Sequence, residues 1–294
     1  MPAAVFGLPI AAAGIAGLVY RGRTVLAGIA AATGVGLAAL LAPSAILYAA
    51  PVALAILLAV VALPKRHIQL VAGALIGVFT LTSAGYDAFV ARAAGTTLLA
   101  EWAAQSKRLV AEMTKSLGAS ATTDIRTQLD GAASFVASAW PSVYFQSAVI
   151  MAVIVIAAIS WAARRTEAPL DVPRFSQVDI TPHVLWAFVA GLLLLAASYT
   201  SFSASVTLGV VGLNLVLCAR TLFFLQGMSV SAGVLDRAGV GLGGRILALA
   251  ALAALDALTF AISFTGLMDI WVNFRRLPRD GEMPVVPETS TRRW

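Results

Sequence analysis

The stretch SAILYAAPVALAILLAVVAL, Ser44–Leu63, holds twenty consecutive residues without a charge. An α-helix of that length spans about 30 Å, the thickness of the hydrocarbon core of a bilayer. Backbone groups in hydrocarbon find no water, so a crossing segment must be a helix or part of a closed barrel. Because its apolar residues run continuously and do not alternate with polar ones, the stretch predicts a transmembrane helix.

The rest of the chain has the same character. Of its 294 residues, 60% are hydrophobic and 12% are charged, against about 45–50% and about 25% in soluble domains. The net charge is +6, but most arginines flank apolar runs, where they set membrane orientation, so we predict a lipid partner and no nucleic acid. With Cys218 as its single cysteine, the chain can form neither an internal disulfide nor a cysteine-based metal site.

Eight apolar runs are candidate spans, and they predict an all-α transmembrane bundle with eight to nine crossings. The runs cover residues 3–20, 24–42, 44–63, 68–90, 142–163, 182–199, 203–225 and 246–272. Arg21, Lys65 and Arg164 each mark a basic loop, and these basic loops are every second loop between the predicted spans up to Arg164. The positive-inside rule predicts that these loops are cytoplasmic and that the N-terminus lies outside.

The C-terminus is harder to place. Eight crossings would leave it outside, whereas Arg275, Arg276 and Arg279 favour the cytoplasm. The 34-residue stretch Phe202–Leu235 is longer than one simple crossing needs. We favour a split of this stretch near Arg220, which returns the C-terminus to the cytoplasm. The alternative is one long helix with a cytoplasmic overhang.

Residues 91–141 form a polar region between the fourth and fifth spans, and they predict two amphipathic helices around LGASATT, Leu117–Thr123. In the first of these helices Trp102, Leu109 and Met113 share an apolar face. We predict that this hairpin lies on the bilayer interface or caps the bundle; a lid over an outward-facing cavity is the alternative. It separates N-terminal spans (1–90) from C-terminal spans (142–279), and residues 280–294 read as a disordered cytoplasmic tail.

Polar side chains inside apolar runs are the candidate site residues, because inserting an aspartate at mid-helix costs about 2.5–3.5 kcal/mol. Asn214 and Gln226 lie in the seventh run or just beyond it, and Asp256, Thr259 and Ser263 share one stripe of the last run. We predict that these five residues line a ligand cavity. The alternative is a helix–helix seam in which they are packing contacts.

A second group closes the last apolar run, in TGLMDIWVNFRRLPRD, Thr265–Asp280. On a continuing helix Asn273 and Arg276 would share the face of Asp269, near a C-terminal end that favours arginine. Together with Arg275 they predict a cytoplasmic anchor or docking surface.

Motifs for catalysis are weak. GVGLGG, Gly239–Gly244, matches a dinucleotide fingerprint, but no strand precedes it, and GMSVS, Gly227–Ser231, has no convincing base. Histidines and carboxylates do not fall at metal-ligand spacing. We therefore predict no catalytic residue, no cofactor and no metal, and a protein that is not an enzyme.

Two C-terminal stretches carry a family resemblance: LFFLQGMSVSAGVLDR, Leu222–Arg237, and GLMDIWVNFRR, Gly266–Arg276. They resemble the YybS-like family of bacterial polytopic inner-membrane proteins of unknown function, although little chain precedes the first span. That family is distantly similar to the S-components of energy-coupling-factor transporters. The resemblance implies a transport-related bundle that binds a small molecule and docks a transporter coupling module. The alternative is a non-transporting scaffold or regulatory partner of envelope proteins.

Overall fold

A computed structural model gives the fold of the chain. It describes residues 2–65, 67–118, 122–168, 170, 172–199, 205–275 and 277, with side chains from residue 7 onward. All regular structure among these residues is helical, which confirms the all-α prediction. Arg276 and residues 280–294, which the sequence assigns to the anchor and the tail, lie outside the described residues.

Eleven α-helices make up the described fold, with short 3-10 helices at Pro43–Ala45 and Phe175–Gln177. They are α1 Pro2–Tyr20, α2 Thr24–Leu41, α3 Ile46–Ala62, α4 Ile68–Ala93, α5 Leu98–Leu117, α6 Thr123–Ser138, α7 Trp140–Arg165, α8 Val184–Ser198, α9 Ser205–Arg237, α10 Leu242–Thr259 and α11 Ala261–Val272. Six helical segments of the described chain are long and apolar enough to cross a membrane, and three shorter helices are also apolar. These nine apolar helices agree with a polytopic bundle.

The helices pack as two units, Met1–Val172 with Ala187–Cys218, and Pro173–Trp186 with Ala219–Trp294. In the first unit α7 packs against both α1 and α4. The contact with α1 uses small side chains, since Ala12 and Ala16 on α1 and Ala148 and Ala152 on α7 are all buried. Small residues let membrane helices approach closely, which increases their dispersion contacts.

The long apolar stretch after α8 forms one helix. α9 runs without interruption from Ser205 to Arg237, over 33 residues. The split near Arg220 that we favoured from the sequence is therefore wrong, and the alternative of one long helix is confirmed. Arg220 causes no break because its aliphatic stem fits a helix and its guanidinium pairs with Asp256, which lies in the same unit.

The last apolar run, in contrast, is broken. Residues 246–272 were expected to form one span, but α10 ends at Thr259 and α11 begins at Ala261. Between them Phe260 adopts a left-handed conformation with φ of 57°, which is strained for a bulky side chain. Two amides at the break find side-chain acceptors, since Ser263 N donates to the Asp256 carboxylate and Ala261 N to the Thr259 hydroxyl. Side-chain capping thus competes with the helical ladder and opens it.

Candidate functional site

Asn214 belongs to the first unit and is fully engaged there. Its side-chain amide donates to the carbonyls of Ser138 and Val210 at 2.9 and 2.8 Å. Its oxygen accepts from Ser142 N at 2.9 Å, an amide in the first turn of α7. Ser142 N also donates to the Ala139 carbonyl at 3.0 Å, so Asn214 supplies a second acceptor at the start of α7. Its described bonds are those of a packing residue.

The other four cavity candidates lie in the second unit. Two of them, Asp256 and Ser263, belong to the Arg220 cluster, which we define as Arg220, Asp256, Phe260 and Ser263. The Asp256 carboxylate accepts from Ser263 N and Ser263 Oγ, each at 2.8 Å. Arg220 Nη2 lies 3.3 Å from Asp256 Oδ2, and the guanidinium carbon lies 4.1 Å from the Phe260 ring centroid. The cluster thus combines an ion pair, the first turn of α11 and a cation–π contact.

The two charges of this pair differ in exposure. The Asp256 side chain is 4% exposed, whereas that of Arg220 is 32% exposed. Among the described residues, hydrogen bonds of the guanidinium reach only Asp256, and both start from Nη2. The remaining N–H groups of Arg220 can therefore meet another molecule without breaking the pair.

Thr259 does not join this cluster in the way the sequence predicted. The predicted stripe of Asp256, Thr259 and Ser263 assumed one continuous helix, and the break at Phe260 removes that geometry. Thr259 is exposed and bonds to the Leu255 carbonyl and the Ala261 amide. Ser263 reaches Asp256 because of the break, and not through helical spacing.

Gln226 lies in a second polar group, the Arg275 cluster, defined as Asp179, Gln226, Ser229, Asp269 and Arg275. Its amide nitrogen donates to Asp179 Oδ1 at 2.7 Å and to Asp269 Oδ2 at 2.8 Å. Its amide oxygen accepts from Ile180 N at 3.0 Å. The side chain therefore bridges two carboxylates and a backbone amide.

Arg275 lies at the centre of this cluster. Its Nη2 contacts Asp269 at 2.8 Å and Asp179 at 3.1 Å. Its Nη1 donates to Ser229 Oγ at 2.7 Å and to the Val178 carbonyl at 2.6 Å. The side chains of Arg275 and Asp269 are 3% and 0% exposed. A planar guanidinium suits this set of acceptors because it carries five N–H groups in fixed directions.

The predicted partners of Asp269 are corrected by the end of α11. The helix stops at Val272, and Asn273 takes a left-handed conformation with φ of 47°. The Asn273 side chain consequently turns to the backbone of Leu277 and not to Asp269. The reversal of the chain brings Arg275 to Asp269, and the predicted i+7 partner, Arg276, lies outside the described residues.

A close backbone crossing holds α9 and α11 together in this unit. A Cβ atom on Gly227 would meet the Ile262 carbonyl oxygen at 1.9 Å, and one on Gly266 would meet the Phe223 carbonyl oxygen at 1.9 Å. Only glycine fits at either position, as in other membrane helix pairs built on small residues. Asp269 follows Gly266 by one helical turn, so the crossing positions it against Gln226.

Sequence reasoning missed several members of these clusters. Arg220 had a signal, because a charge inside an apolar run requires a partner and Asp256 was available. Asp179 had none, since it lies in a loop, and Ser229 was noted only within GMSVS, which gave no sign of its partners. In the described part of the chain no group of three or more histidine, cysteine, aspartate or glutamate residues is placed to hold a metal ion.

Apolar helices of spanning length, small-residue crossings and polar groups paired inside the packing define a polytopic helical membrane protein. The chain belongs to the family described as predicted membrane protein (DUF2232), whose profile matches residues 2–270. Comparisons with curated proteins and with solved structures give no match.

Proposed function

We propose that this protein is a transport-related membrane protein of the bacterial inner membrane, and that the Arg220 cluster is its binding element for a small molecule. The carrying observation is a broken apolar helix with an ion pair at the break. Transporters commonly place substrate sites at interrupted membrane helices, where freed backbone groups and half-helix ends meet the ligand. The partly exposed guanidinium of Arg220 favours a ligand with a carboxylate or phosphate group.

The membrane orientation forms part of this function. Arg164 and Arg165 end α7, and by the positive-inside rule these two charges favour a cytoplasmic position for the loop that follows. In the second unit this loop bonds to α9, through Ile180 with Gln226 and through Phe175 with Ser229. Gln226 follows Ser205 by 21 positions along α9, or about 32 Å of helix, which is one crossing of the hydrocarbon. We infer that α9 crosses once and continues as a cytoplasmic overhang.

The broken helix then enters and leaves on the same side. Arg245, near the start of α10, pairs with Asp236 at the end of α9. Arg275, just after α11, bonds to Ser229 of α9. Both ends therefore contact the last third of α9, whereas the break contacts Arg220, six residues or about 9 Å before Gln226. In this orientation α10 and α11 form a re-entrant pair, with the N-terminus outside and the C-terminus in the cytoplasm.

Cysteine labelling tests this orientation. In a Cys218→Ala background, Thr123→Cys on the hairpin should react with a membrane-impermeant maleimide in intact spheroplasts. Gly241→Cys, between α9 and α10, should react only after the membrane is permeabilised, because that loop is cytoplasmic. Labelling of Gly241→Cys in intact spheroplasts would contradict the single crossing of α9.

Binding at the Arg220 cluster is tested with Asp256→Asn. The purified protein should be thermally stabilised by a member of a panel of small carboxylates and phosphates, and Asp256→Asn should lose most of that shift because Arg220 is no longer held in place. Asp236→Asn is the matched control, since it removes the carboxylate of the Arg245 pair and leaves the break intact. A shift that survives in Asp256→Asn would contradict this site.

A non-transporting scaffold or regulatory partner of envelope proteins is the second candidate function, and the Arg275 cluster favours it. The side chains of its central pair, Arg275 and Asp269, are buried, and the charges of the cluster bond to one another, as in a structural core. If the protein is a scaffold, Asp256→Asn should change its stability or the recovery of its partner and leave solute uptake unchanged. Recovery of an ATPase–transmembrane coupling pair with the tagged protein would favour transport, in keeping with the resemblance to the YybS-like family and to S-components.

A further inference from the structure

The hairpin of α5 and α6 carries an apolar surface that its own packing does not cover. The two helices pack on each other through residues such as Ser106 and Val110 on α5 and Leu129 and Ala133 on α6, which are buried or half-buried. Beside this seam Leu109 is 53% exposed. The apolar face identified from the sequence is thus only partly covered by packing within the hairpin.

Three of the exposed apolar residues, Leu109, Met113 and Val136, lie on one side of the hairpin. On α5, Leu109 and Met113 stand one residue before and three residues after the packing residue Val110. On α6, Val136 stands three residues after the packing residue Ala133. At 100° per residue, these offsets place the side chains about 60–100° around the helix from the seam. The direction of rotation about the helix axis, viewed from its N-terminus, is the same for α5 and α6. Because the helices run in opposite directions, equal turns lead to the same side of the pair.

The opposite side of α5 is charged. The exposed charges of α5 are Glu101, Lys107, Arg108, Glu112 and Lys115, and those of α6 are Asp124, Arg126 and Asp130, which together make four acidic and four basic side chains. Such a balance gives no strong attraction to an acidic or a basic partner. Apolar area is therefore the main recognition feature of the hairpin, as in interfacial membrane helices.

An aromatic group sets the level at which the hairpin leaves the bundle. Trp102 of α5 donates to the Tyr144 hydroxyl at 3.3 Å, and Tyr144 donates to Asp87 at 2.6 Å. The Trp140 ring lies 6.0 Å from that of Tyr144. Tryptophan and tyrosine concentrate where membrane meets water. Phe89, near the end of α4, is exposed, and α4 contacts α5 at the base of the hairpin.

From these observations we infer that the α5–α6 hairpin lies in the bilayer interface, with Leu109, Met113 and Val136 inserted among lipid chains. Lipid is the occupant because the hairpin joins the bundle at this aromatic level, where the adjoining end of α4 also exposes apolar side chains. The hairpin then acts as a lateral membrane anchor, and not as a cap or a lid. This inference is independent of the proposed transport function.

Nitroxide accessibility tests the insertion. In the full-length Cys218→Ala protein, single cysteines at Leu109 and Met113, and at Glu112 and Lys115 as controls on the charged side, are spin-labelled and reconstituted in phosphatidylcholine nanodiscs. The ratio of collisions with oxygen to collisions with a water-soluble nickel chelate should be severalfold higher at the first pair. Frequent nickel collisions at Leu109 and Met113 would overturn the inference by placing them in water. Few collisions with either reagent would overturn it by showing a protein cover.

A second measurement needs no substitution. The unmodified protein is reconstituted with a phosphatidylcholine that carries a photoactivatable group on its acyl chain, and labelled peptides are identified by mass spectrometry. Peptides from α5 and α6 should carry lipid adducts at a yield similar to peptides from α4. Adducts on α4 with none on the hairpin would contradict its insertion.

Discussion

Alanine at Gly266 is expected to lower the thermal stability of the protein strongly. The added Cβ would lie 1.9 Å from the Phe223 carbonyl oxygen and 2.6 Å from Gly227 N. Both atoms belong to the backbone, so no side-chain rotation can relieve the clash and the helices must move apart. That movement also lengthens the 2.8 Å contact between Gln226 and Asp269. Overpacking of a filled core costs about 1–3 kcal/mol, occasionally more, and we expect the upper end here.

Thermal unfolding monitored by size-exclusion chromatography in detergent measures this effect. Gly243→Ala is the matched control, because a Cβ there has open space within 4 Å. On an exposed helix that change should be neutral or stabilising by about 1 kcal/mol. Equal stability of the two alanine variants would contradict the close crossing of α9 and α11.

Arg275→Ala is expected to be similarly severe, for an electrostatic reason. It leaves the Asp269 carboxylate, which is 0% exposed, without its cation, and it removes donors from the carbonyls of Ser176 and Val178. Breaking a buried pair from one side costs about 3–5 kcal/mol. Arg275→Lys should restore little of this loss, because an ammonium group cannot reach acceptors on several sides at once.

The matched control is Arg245→Ala, which removes the same residue type from an ion pair of the same unit. The side chains of Arg245 and Asp236 are 36% and 30% exposed, and exposed pairs contribute about 0–1 kcal/mol. Arg275→Ala should therefore have a clearly lower folded yield and melting temperature than Arg245→Ala. A loss for Arg275→Ala no larger than that for Arg245→Ala would show that the cluster is not a structural centre.

The two amphipathic helices could be predicted well because their signal is local. The polar region predicted one helix on each side of LGASATT, and the two helices form at Leu98–Leu117 and Thr123–Ser138. The N-caps are Thr97 and Thr122, whose hydroxyls accept from the amides three residues on. The face that packs was harder to predict, since amphipathicity does not distinguish a partner helix from lipid.

The break at Phe260 could not be predicted in the same way. Leu258, Phe260 and Ile262 have the hydropathy of any membrane helix, so the run 246–272 reads as continuous. What opens the helix is the Asp256 carboxylate, which accepts from Ser263 seven residues later. The charge of that carboxylate is balanced by Arg220 of another helix. Asp269 and Arg275 present the same difficulty, because a left-handed Asn273 reverses the chain between them.

By itself, the sequence determined that this protein is a polytopic helical membrane protein, because hydropathy, loop charge and caps act over a few neighbouring residues. It also identified Asn214, Gln226, Asp256 and Asp269 as polar groups in apolar surroundings. Only the tertiary structure decided their partners, giving Asp256 to Arg220 and Asp269 to Arg275 and Gln226. The physical reason is that a charge in hydrocarbon requires a partner, and which partner it finds depends on how distant helices cross.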